Sequence, residues 1–94
     1  MAFSMALVDR ICFGNLKMRV YTVTDAQSTG STFKVDGFDT VWAVRGINNT
    51  DSSDTFGEKP GDGTSHLDSQ SARNTVILTP VTDNDDGICA IWGR

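Results

Sequence analysis

The stretch "LKMRVY", residues 16–21, decides the fold class. Leu16, Met18 and Val20 alternate with Lys17, Arg19 and Tyr21, a two-residue period that belongs to a β-strand and not to a helix. Taken by itself, the alternation assigns the apolar set to a core face and the basic set to solvent. Just before it, "LVDRICF" (7–13) reads as a less regular strand, and Gly14-Asn15 between them offers the positive φ angles of a tight hairpin.

Further strands follow at intervals of eight to twelve residues in the manner of small β-sandwiches. "TFKV" (32–35) is short, and "TVWAVRGI" (40–47) is the strongest, rich in β-branched and aromatic residues. Its alternation sets Val41, Ala43, Arg45 and Ile47 against Thr40, Trp42 and Val44. "NTVILTPV" (74–81) is closed by Pro80, whose missing N–H cannot serve a central ladder. "GICAIWG" (87–93) sets Ile88, Ala90 and Trp92 against Cys89 and Ile91, both faces apolar, which predicts a strand covered on both sides with Trp42 and Trp92 in the core. No window sustains a 3.6-residue period. The expectation is a single all-β domain over residues 1–94, an antiparallel β-sandwich or jelly-roll-like barrel of roughly six to eight short strands.

Two segments interrupt that rhythm. Residues 48–73 form a long polar, acidic stretch in which Phe56 and Leu67 are the only large apolar side chains, poised to pin it to its own domain or to a partner. Deleting residues 50–70 is accordingly expected to spare the sandwich but weaken assembly. The second is "DNDD" (83–86). Aligned as a calcium loop with Gly87 in the glycine position, it places Asp86 and Asn84 at ligand positions but has Thr82 for the first Asp and Gly93 for the closing Glu. An irregular site drawn from Asp83, Asp85 and Asp86 is the remaining metal candidate. The turn residues favour instead a hairpin tip between the last two strands.

Charge excludes one class of partner. The chain carries a formal −4 with 8 basic and 12 acidic residues, and the acidity is concentrated between residues 48 and 86. A nucleic-acid groove requires clustered Lys and Arg, so DNA and RNA are not expected partners. Lys17 and Arg19 are read as a solvated strand face or as a contact for an acidic partner. No segment has the length or apolarity of a membrane span, and "MAFSMALVDR" at the amino terminus lacks a signal-peptide pattern, so synthesis in the cytoplasm without export is expected.

The chemistry is sparse. His66 lies beside Ser65 and two residues before Asp68, but neighbours in a polar loop without a nucleophile elbow do not make a triad. "EKPGDG" (58–63) lacks the following Lys-Ser/Thr of a phosphate loop, and Asn48-Asn49-Thr50 is a glycosylation pattern idle without secretion. Cys12 and Cys89 have no metal or redox spacing; two buried thiols are expected, with a bridge between neighbouring terminal strands left open. The reading is therefore no enzyme and no cofactor.

With "GNLKMRVYTVTDA" (14–26), "GFDTVWAVRG" (37–46) and "TVILTPVTDNDDGICAIWG" (75–93), nearly the whole chain resembles small β-rich virion proteins of tailed bacteriophages, among them capsid cement or decoration proteins. That resemblance implies a jelly-roll-like sandwich on the capsid surface that trimerises and clamps neighbouring copies of the major capsid protein. It carries no catalytic or binding residues over. The reaching elements expected from the residues are the amino-terminal segment and the long loop, with Phe3, Met5, Phe56 and Leu67 as interface anchors. The alternative is a carbohydrate- or receptor-binding module of a tail or fibre, assisted by calcium, for which exposed Trp or Tyr would speak.

Overall fold

The computed structural model describes residues 3–50, 54–61 and 73–94, and these build an all-β fold of two antiparallel sheets. The strands are β1 (Ser4–Phe13), β2 (Leu16–Ala26), β3 (Ser31–Lys34), β4 (Val41–Asn48), β5 (Lys59–Pro60), β6 (Thr75–Leu78) and β7 (Asp85–Gly93). One sheet has the order β1-β2-β7-β4 and the other β3-β6-β5, so the chain changes sheet between β2 and β3, β3 and β4, β4 and β5, and β6 and β7. The β1–β2 hairpin turns at Gly14, whose φ of 60° suits a residue without Cβ.

The last two strands do not form the expected hairpin. β6 lies in the three-stranded sheet and β7 in the other, between β2 and β4, so residues 79–84 arch from one layer to the next. Proline and clustered Asp/Asn signal a turn in either case. What sequence proximity cannot supply is whether the following strand returns to the same sheet.

The core between the layers has two parts. Tyr21, Val35, Phe38, Val41, Val44, Val76 and Ile91 form one, with the Tyr21 and Phe33 rings edge to face at 5.1 Å. Val23, Ala26, Phe56, Leu78 and Cys89 form the other. Phe56 is fully buried, and its carbonyl accepts from Thr79 N at 2.5 Å, so the segment after β4 plugs its own domain and continues into β5. Phe56 is thus a core residue and not a partner anchor. Phe3 and Met5 likewise pack against the core, and the amino-terminal segment is the paired strand β1 and not a free arm. Leu67, Ser65, His66 and Asp68 lie outside the described residues.

The faces of β2 are the reverse of the expected assignment. Tyr21 and Val23 enter the core, which puts Lys17 and Arg19 on the same inner side, while Leu16, Met18 and Val20 face outward. The covering sheet is short, its strands being 4, 2 and 4 residues long against 11 in β2, and the buried inner-face residues of β2 begin at Tyr21. At the rim, Lys17 Nζ donates to Gly37 O at 2.6 Å and the Arg19 guanidinium lies 5.3 Å from the Phe38 ring centroid. The basic side chains therefore cap the end of the core and are not a free solvated face.

A bulge shifts β4 as well. Val41 pairs with Gly93 and Ala43 with Trp92, leaving Trp42 as the extra residue, so Val41 and Val44 are both buried and Trp42 is half exposed. Strand β7 has one buried face, Cys89 and Ile91 between Gly87 and Gly93, and one open face of Ile88, Ala90 and Trp92. Neither tryptophan sits in the core.

The cysteines also differ from expectation. Both are free thiols, Cys89 buried and Cys12 exposed on β1, with β2 between their strands. Burial, and after it the nearby Glu58 carboxylate, pushes the Cys89 thiol up to about 12. A thiol reagent at pH 8 is expected to label Cys12 alone in the folded protein and both residues in guanidinium; rapid double labelling without denaturant would contradict this packing.

Candidate interaction face

The feature that stands apart is the outer surface of the four-stranded sheet. Cross-strand pairing lines its side chains into rows from β1 through β2 and β7 to β4. One row runs Ile11, Met18, Trp92, Ala43; the next Asp9, Val20, Ala90, Arg45; the third Ala6, Thr22, Ile88, Ile47. Phe13 and Leu16 extend the first end beside the hairpin. Residues directly opposite in an antiparallel ladder share a face, so these side chains form one continuous surface.

That surface is apolar and open. Phe13 is 69% exposed, Ile47 67%, Trp42 50%, Ile88 43% and Ile11 38%. Single exposed hydrophobes are ordinary on a protein surface, but here they stand on β1, β7 and β4 of one sheet face, with the half-buried Leu16, Met18 and Val20 of β2 between them. A shallow depression lined by Arg45, Gly46, Ile47, Ile88 and Ala90 lies at the β4–β7 side. The only charges within the three rows are Asp9 and Arg45, at opposite edges of the middle one. Sequence reading missed this face because it assumed that the regular apolar alternation of residues 16–20 marked the core.

The acidic arch serves another purpose. Asp83 Oδ1 accepts from Ser28 N at 2.8 Å and Ser28 Oγ at 2.7 Å, tying the arch to the β2–β3 turn. Asp85, 1% exposed, accepts from Asn48 Nδ2 and Thr82 Oγ1, both at 2.8 Å. Asp86 Oδ1 accepts from Asp25 N at 2.9 Å, and Asp54 Oδ2 accepts from Val81 N at 3.0 Å and Thr82 N at 3.2 Å. The carboxylates proposed as calcium ligands thus reach toward two separate segments, residues 25–28 and the end of β4, and no metal-competent group of three His, Cys, Asp or Glu residues assembles among the described residues. Asp54 accepts from arch N–H groups that a layer-crossing segment leaves without a ladder, while Asp83, Asp85 and Asp86 accept from the elements the arch passes.

These bonds have a pH signature. The Ser28 backbone and side-chain donors hold Asp83 below the usual carboxylate value. For Asp54, desolvation pulls upward, but the N–H groups of Thr82, Thr55 and Val81 outweigh it and the net shift is downward. A lowered folded-state pKa gives stability that is complete above the unfolded value, near pH 4, and disappears as pH falls through the folded value. Asp83→Asn is therefore expected to flatten the loss of stability below about pH 4. Denaturant midpoints measured across that range check it, and parallel acid profiles for variant and parent would refute it.

The chain matches no known family model, no curated protein and no solved structure.

Proposed function

We propose that this chain is a structural binding module that works by surface contact, and specifically a capsid cement protein that binds and stabilises a shell of major capsid protein in a tailed bacteriophage, in more than one copy. The observation that carries the contact reading is the open apolar face of the four-stranded sheet, from Phe13 and Ile11 on β1 to Ile47 on β4. A domain of 94 residues has little core of its own, and association supplies the burial it lacks. The phage setting comes from the sequence resemblance, which this small antiparallel sandwich suits.

Mixing the purified chain with empty phage shells and sedimenting them tests the proposal. Co-sedimentation that saturates at a fixed ratio to the capsid subunit, with a raised shell melting temperature, is the expected result. A chain that stays in the supernatant at every concentration removes the capsid role.

One observation favours a second reading, a glycan- or receptor-binding module of a tail or fibre. Trp42 is half exposed at the β4 bulge, next to the Ala43 that pairs with Trp92, and such rings stack on sugars. Calorimetry against host glycans, with and without calcium, decides it; no heat in either arm leaves the contact reading alone.

A further inference from the structure

We propose that the outer face of the β1-β2-β7-β4 sheet packs against the same face of a second copy, about a two-fold axis parallel to the strands and centred between β2 and β7. This rests on the contact reading above and names the partner of that face. It also replaces the trimer that the resemblance implies with a two-fold pair.

Charge placement selects a second copy and fixes its orientation. Asp9 and Arg45 occupy the two ends of one row, with Val20 and Ala90 between them. A two-fold axis along the strands keeps each row at its own height and reverses it from side to side. β1 then lies over the second copy's β4, and each Asp9 faces an Arg45 while each Arg45 faces an Asp9. The perpendicular two-fold within the interface would instead set Asp9 on Asp9 and Arg45 on Arg45, which like-charge repulsion disfavours.

Side-chain size agrees with the same axis. Ile11 comes over Ala43, Ile47 over Ala6 and Val20 over Ala90, large against small in each case, while Met18 meets Trp92. Such alternation lets two sheet faces interdigitate at the usual spacing of about 10 Å. An isologous contact needs a surface complementary to itself, and this face has that property in both charge and volume.

Its area suffices. Four strands about 4.8 Å apart and some eight residues long at about 3.4 Å each give a flat footprint of roughly 500 Å². The upright Phe13, Trp42 and Ile47 side chains, each at least half exposed, add to it. Stable small interfaces bury on the order of 600–800 Å² per partner. The β1 edge is a poorer route to pairing: β1 bulges at Val8, and a symmetric antiparallel β1 pair centred on Asp9 or Arg10 would set like charges opposite one another.

Sedimentation equilibrium of the full chain, together with the exchanges Asp9→Arg, Arg45→Asp and the two combined, tests the axis. The parent is expected to dimerise. Each single exchange sets like charges together at two symmetric places and should weaken the dimer about tenfold, while the double exchange should return it to within about threefold of the parent. Both positions are solvent-exposed, and thermal melts of each variant confirm that the fold is kept. A parent that is monomeric at high micromolar concentration, a trimer, or a double exchange no better than the singles overturns the inference. Shell co-sedimentation of the same variants separates the two readings: a dimer that ignores shells removes the capsid role and keeps the pairing, and a monomer that coats shells does the reverse.

Discussion

A Phe56→Ala chain is expected to be less stable than the parent by about 3–5 kcal/mol, the usual cost of truncating a buried phenylalanine. For a domain of this size that corresponds to a melting temperature lower by roughly 15–30 °C. The ring is fully buried with Leu78, Val23, Ala26 and Cys89, and it lies on the backbone of Gly46 and Gly87, where no side chain can move in to fill the space. Phe56→Leu keeps most of the volume and should cost less than about 1.5 kcal/mol. Thermal and urea melts of the two variants measure the difference. Equal small losses would mean that the segment after β4 contributes little to the core.

The same ring alters what a loop deletion does. Removing residues 50–70 takes away Phe56 and β5, which pairs Lys59 with Ile77 and Pro60 with Val76. The deletion is therefore expected to unfold the domain, where composition alone had suggested that the sandwich would be spared. A polar stretch with one phenylalanine reads as a surface loop because its composition averages that residue away. The glycine platform that receives the ring is assembled from Gly46 on β4 and Gly87 on β7, the second of them far along the chain.

Fold class was legible because the period of two in residues 16–21, 40–47 and 87–93 is a local property of the backbone. Which face turned inward was not. In β2 the inner face carries Lys17 and Arg19 before it carries Tyr21 and Val23, since the covering sheet is shorter than the strand it covers. Extending the window from Tyr21 to Val23 would have brought the second apolar series into view. In β4 a single bulge residue, Trp42, changed the phase, so that Val44 and not Ala43 joined Val41 in the core. The open face stays hidden to local pattern for the same two reasons, because an apolar alternation looks the same whether it meets its own second sheet or another molecule. Asn, Asp and Gly mark residues 83–87 as a turn, but not as an arch between sheets, and the carboxylates there bind partners up to 61 positions away, as Asp86 does Asp25, a pairing no local pattern encodes.

Gly87→Ala is expected to be still more damaging than its one added methyl group suggests, with a loss of about 3 kcal/mol, the upper end of what overpacking usually costs. A Cβ at position 87 would strike the Ile47 carbonyl oxygen and come within 2.8 Å of two ring carbons of Phe56. The carbonyl belongs to the β4–β7 ladder, where Asn48 pairs with Gly87, so it cannot withdraw without opening that pairing. Gly46 offers the informative contrast, because its Cβ would meet only side chains at the closest distances, Phe56 Cδ2 at 2.8 Å and Cys89 Sγ at 3.0 Å. Combining each alanine with Phe56→Ala separates the two obstacles. Truncating the ring removes the nearest obstacle at position 46, so that pair should be strongly non-additive, the second change costing much less than it does alone. At position 87 the backbone oxygen remains, and the two losses should come close to adding. Four urea melts for each cycle are enough to compare the couplings. A larger rescue at 87 than at 46 would show that the ring, and not the strand backbone, is what forbids a side chain there.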